Sequence, residues 1–84
     1  MKKELLPKVI NVTGYSGYKA NERPLYLIID NSKLTVRRII KKWIEPEKDC
    51  FEALASDNRV YVVTWNRDSD IWYLEKISPY CSDL

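Results

Sequence analysis

The sequence predicts an all-β chain that closes into a small barrel of five or six mostly antiparallel strands. Three observations predict it. Short runs of β-branched and aromatic residues recur along the chain. Clusters of Asp, Asn, Ser and Pro separate them. A chain of 84 residues has room for one domain only. Hydrophobic residues make up 45% and charged residues 31%, which is a globular and not a disordered composition. A domain this small buries only about 60–65% of its unfolded surface. Its six Tyr, three Trp and one Phe must therefore supply much of the core.

The strands are punctuated in order. Lys8 to Val12 is an apolar run that stops at Thr13-Gly14, and a polar loop leads from there to Pro24. Leu25 to Ile29 is rich in strand formers and ends at Asp30-Asn31-Ser32. Cys50 to Ala55 runs into Ser56-Asp57-Asn58, and Arg59 to Trp65 is the clearest strand. Arg67 to Asp70 is a second turn, and Ile71 to Ile77 is the last strand. Residues 8–77 form the expected core, and 78–84 are expected to be a flexible tail.

The segment 34–44 supports two readings. Val36, Ile39, Ile40 and Trp43 fall at helical spacing, with Pro46 just beyond, which suits a short helix. The neighbouring strands and the β-branched content favour one long bent strand, with a β-bulge at Arg37-Arg38 to restore its phase. The strand is the preferred reading.

A two-residue turn at Asp57-Asn58 would place Leu54 opposite Tyr61 and Glu52 opposite Val63. A turn over Arg67–Asp70 would place Trp65 opposite Trp72 and Val63 opposite Leu74. One sheet face would then carry Leu54, Tyr61, Val63, Trp65, Trp72 and Leu74. The other would carry Phe51, Ala53, Val60, Val62, Tyr73 and Ile77. A one-residue slip would exchange the faces.

Composition excludes several chemistries. There is no histidine, so no imidazole base or imidazole metal ligand exists. Cys50 and Cys81 are too few for a thiolate zinc site, so no metal and no cofactor is expected. Gly14 and Gly17, the only glycines, do not make a phosphate loop. Glu4, Pro7 and Lys8 interrupt the N-terminal segment, so a secretory leader is not expected. The chain is read as cytoplasmic, without a membrane segment and with reduced cysteines. The carboxylates Glu45, Glu47, Asp49, Asp68 and Asp70 are read as turn residues and not as an acid-base pair, so no enzyme is expected.

Three features remain as candidates. The first is a basic cluster of Lys33, Arg37, Arg38, Lys41 and Lys42, which could bind nucleic acid with Trp43 or Tyr26 as a stacking platform. Residues 49–84 are by contrast acidic, so pairing of basic with acidic strands is the competing explanation, along with edge lysines that deter aggregation. The second is the loop Gly14-Tyr15-Ser16-Gly17-Tyr18, whose Tyr15 and Tyr18 could contact a ligand or cap the sheet. The third is an apolar aromatic face, with Leu54, Tyr61, Trp65, Trp72 and Leu74 as candidates for a homodimer or protein interface.

The order Arg23-Pro24, Leu34-x-Val36, Trp43, Phe51, Arg59-x-Tyr61-x-Val63, Trp72-x-Leu74 resembles that of small uncharacterised bacterial proteins with an SH3-like barrel. The resemblance spans positions 23 to 77 and implies an SH3-like fold and a bacterial source, but no activity. The expected function is a non-enzymatic binding or interaction module, self-associating through its aromatic face. Nucleic-acid binding through 33–42 is the alternative.

Overall fold

The computed structural model describes residues 6–14 and 24–80. Six strands follow one another: β1 (Lys8–Thr13), β2 (Tyr26–Ile29), β3 (Ser32–Glu45), β4 (Lys48–Ala55), β5 (Arg59–Asn66) and β6 (Ile71–Pro79). Each pairs antiparallel with the next, and β1 also pairs with β6, so the barrel is closed. It is consistent with the small SH3-like barrel that the sequence predicts. Among the described residues there is no helix.

The turns follow local chemistry. Asp30 and Asn31 both adopt positive φ, 52° and 69°, as a tight two-residue hairpin between Ile29 and Ser32 requires. Gly14 has φ 97°, and a Cβ there would lie 2.6 Å from Leu25 Cγ, so no larger residue fits. In the β5–β6 turn, Asn66 Oδ1 accepts the N–H groups of Asp68 and Ser69 at 3.0 Å each.

β3 is a strand along its whole length, not a helix. It pairs with β2 over Ser32–Thr35 and with β4 from Val36 to Glu45, so it bends from one half of the barrel into the other. Beyond Val36, whose N–H donates to Leu25 O at 2.9 Å, its second edge has no strand partner among the described residues. The register shifts between Val36 and Arg38, the bulge expected at the two arginines, and shifts again between Ile39 and Lys41. Each bulge sets two residues opposite one. Val36 and Ile39 therefore point to the core, while Arg37, Arg38, Ile40 and Lys41 are exposed.

The β4–β5 hairpin differs from the expected register by one residue. Ala53 faces Tyr61, Phe51 faces Val63 and Asp49 faces Trp65. The loop is three residues long: Asn58, at φ 64°, donates its N–H to Ala55 O at 3.0 Å, and Asp57 Oδ1 accepts the Arg59 N–H at 3.1 Å. The left-handed third position closes the loop at three residues where two were expected. Leu54 thus leaves the face of Tyr61 and pairs with Val60 on the other side. The β5–β6 pairs Trp65–Trp72 and Val63–Leu74 stand as expected. Glu75 is the extra residue of a further bulge, which sets Ile77 opposite Tyr61. Of the tail expected over 78–84, residues 78 and 79 are strand and 81–84 lie outside the described residues. β6 runs to Pro79, and the Tyr80 N–H donates to Asn58 O at 3.3 Å.

One core fills the barrel. It is built from Ile10, Leu27, Ile29, Val36, Phe51, Ala53, Ala55, Tyr61, Val63, Trp72 and Leu74, with Trp65 and Ile77 packed at its margin. Phe51 and Trp72 lie 5.9 Å apart in a tilted ring pair, and Trp65 and Trp72 lie 6.4 Å apart.

Candidate functional site

The basic residues of β3 are all exposed, with Lys41 opposite Glu52 and Lys42 opposite Phe51, on alternate faces of the strand. Lys33 to Lys42 along an extended strand spans about 30 Å. All five side chains are exposed, and among the described residues none of them lies within salt-bridge distance of a carboxylate. Lys41 is the register partner of Glu52, yet the two make no ion pair. β3 does pair with β4, as the competing explanation from the sequence expects, but among the described residues no direct ion pair joins these cations to a carboxylate.

They are held by aromatic rings instead. Lys33 Nζ lies 4.2 Å from the centre of the Tyr26 ring, and Lys41 Nζ lies 5.3 Å from that of Trp43. Lys42 Nζ lies 5.4 Å from the Phe51 ring, and the Arg38 guanidinium lies 5.9 Å from the Tyr80 ring. Arg38 Nη2 also donates to Tyr80 Oη at 3.0 Å, and Arg37 Nη1 donates to Asn58 Oδ1 at 3.0 Å. A ring quadrupole attracts a cation without cancelling its charge. The cations are therefore seated on rings and side-chain oxygens, and among the described residues no carboxylate forms an ion pair with them. Tyr80 and Asn58, which hold the two arginines, were not singled out in the sequence. Only the aromatic character of Tyr80 hinted at its role.

The proposed aromatic interface has a different location. Tyr61, Trp72 and Leu74 are 3%, 7% and 0% exposed within the barrel core. Leu54 is buried on the opposite side of β4, and Trp65 is half-buried, with its indole N–H donating to Asp70 Oδ1 at 2.7 Å. Tyr61, Trp72 and Leu74 thus belong to the barrel core, Leu54 is buried on the other side, and Trp65 alone of the five is partly exposed. Tyr15 and Tyr18 lie outside the described residues, as do Arg23 and Cys81.

The remaining polar groups have structural tasks. Arg67 Nη1 meets the buried Asp49 Oδ1 at 2.5 Å, and its Nη2 donates to the carbonyls of Glu45 and Pro46 at 2.9 and 2.5 Å. The Arg67 N–H donates to Glu47 O at 3.0 Å, so one residue of the β5–β6 turn clamps the whole β3–β4 turn. A cavity of about 260 Å³ opens at one end of the barrel between Ile29, Leu34, Asp57, Arg59, Tyr61 and Ile77. Its Asp57 accepts the Tyr61 hydroxyl at 2.6 Å, and Asp30 at its rim is paired with Lys8 Nζ at 2.8 Å. Burial, then the bond to Asp57, pushes Tyr61 up to about 12. Cys50 is buried and free, and burial pushes its thiol up to about 11, away from nucleophilic use. Among the described residues no group of three or more Cys, Asp or Glu side chains could hold a metal ion. No helix of the described residues is long and apolar enough to cross a membrane.

No protein-family model, curated protein sequence or solved structure matches the chain.

Proposed function

We propose that the chain is a non-enzymatic binding module that holds nucleic acid along β3. One observation carries the reading: five exposed cations on β3 have no carboxylate partner among the described residues, and four of them rest on aromatic rings. A linear array of fixed positive charge suits a linear polyanion, because each phosphate it neutralises releases condensed counterions. Ordering the cations in advance lowers the entropy lost on binding. Small β-barrels present such strand surfaces to oligonucleotides. Deterring edge-to-edge pairing needs only exposed lysines. It does not call for two arginines, one bonded to Tyr80 and the other to Asn58. Self-association is the less favoured function, because all but Trp65 of the side chains expected to mediate it are buried.

The test is fluorescence anisotropy with a mixed-sequence single-stranded oligonucleotide. The chain carrying Arg37→Ser, Arg38→Ser, Lys41→Ser and Lys42→Ser should stay folded by circular dichroism and lose binding. Unchanged affinity in that variant would contradict the reading.

A further inference from the structure

We infer that the β3 surface engages the phosphodiester backbone of nucleic acid and not its bases, an inference that rests on the reading just proposed. A base can stack only on an open ring face. Each ring along β3 already carries a cation: Tyr26 under Lys33, Tyr80 under Arg38, Trp43 under Lys41 and Phe51 under Lys42. Phe51 is also fully buried, and Trp43 is half-buried with its indole N–H given to Glu45 Oε2 at 3.0 Å. One face of the stacking platform expected of Trp43 or Tyr26 is thus covered by the protein's own lysine.

The hydrogen-bonding groups tell the same story. Reading a base edge calls for a free planar fork, such as both ends of a guanidinium on guanine. Arg37 has committed one end to Asn58, and Arg38 has committed one end to Tyr80. The N–H groups left over suit single contacts to phosphate oxygens, which position a strand without reading it. Lys33, Lys41 and Lys42 are point charges on flexible stems, without the fixed fork of a guanidinium.

The experiment compares a mixed-sequence single strand with an abasic oligomer of the same length and the same phosphodiester backbone, at one salt concentration. Backbone binding predicts affinities within about threefold of each other, whereas stacking on even one or two rings costs the abasic oligomer tenfold or more. Such a loss would overturn this inference and leave the nucleic-acid reading standing. Failure of both oligomers to bind would overturn the two together. A poly-glutamate peptide that binds as tightly as either would assign the β3 surface to acidic protein and also overturn the inference. In Trp43→Leu, both oligomers should weaken equally, and loss confined to the natural strand would count for stacking. The comparison on the unaltered chain stands whether or not that variant folds.

Discussion

Lys33 Nζ sits 4.2 Å from the centre of the Tyr26 ring, a diagonal neighbour across the β2–β3 hairpin. The pair is local in space and in sequence, and it repeats in kind along β3 with Lys41 over Trp43. Such pairs contribute about 0.5–1 kcal/mol each at exposed sites, enough to bias a lysine rotamer and too little to hold the fold. Their importance is that the charge stays available.

The salt dependence of binding follows from that count. If all five cations meet phosphates of a single strand, log K falls against log salt with a slope of about −3.5. Arg38→Ser should reduce the slope by about 0.7 and weaken all sequences alike. Anisotropy titrations over a series of salt concentrations check both numbers. A slope near zero would contradict phosphate contact.

Arg67 should be a stability residue with no part in binding. Arg67→Ala removes one charged donor from the buried Asp49 carboxylate and one each from two turn carbonyls. The expected cost is about 2–3 kcal/mol, or ~10–20 °C in Tm. Combining it with Asp49→Asn should cost less than the two changes summed, since they share one contact. Oligonucleotide affinity of the folded variant should match that of the parent.

Alkaline pH should unfold the chain in a defined window. Cys50 and Tyr61 are both raised in the folded state, to about 11 and about 12. Below pH ~8 both are protonated whether the chain is folded or not, and their contribution is fully present. As pH rises from ~8 to ~12 the unfolded chain loses these protons first, so stability falls. Tyr61→Phe should remove the upper part of that loss. Denaturant midpoints measured from pH 8 to 12 check it, and a midpoint that rises with pH would contradict it.

Cys50 should be chemically quiet. In a Cys81→Ser chain, iodoacetamide at pH 8 should label it only as fast as the barrel opens, because the thiol is 1% exposed and held protonated. Prompt labelling of the folded protein would show an accessible thiolate.

Much of this was legible in residue order, and the failures have physical causes. The helical spacing of Val36 and Ile39 is a signature of the first bulge. Its extra residue turns the strand period of two into a local step of three, which a periodicity argument reads as a helix, whereas Trp43 pairs with Cys50 on the other face. One of the two bulges, at the paired arginines, was visible because a phase change was needed there. The β4–β5 slip came from Asn58, whose left-handed backbone could close a loop of two residues or of three. Nothing in the chain distinguished them, and that one residue moved Leu54 to the other side of the sheet. The basic cluster was legible as composition. Its seating was not, because the Tyr80 that holds Arg38 is 42 positions away.

The most direct test is an amide chemical-shift map of the protein titrated with a mixed-sequence single-stranded oligonucleotide. Binding along β3 should give the largest shifts along Lys33–Trp43, reaching Tyr26, Asn58 and Tyr80. Shifts that spare β3 and gather instead on the β5–β6 turn or on the cavity between Ile29 and Ile77 would contradict it.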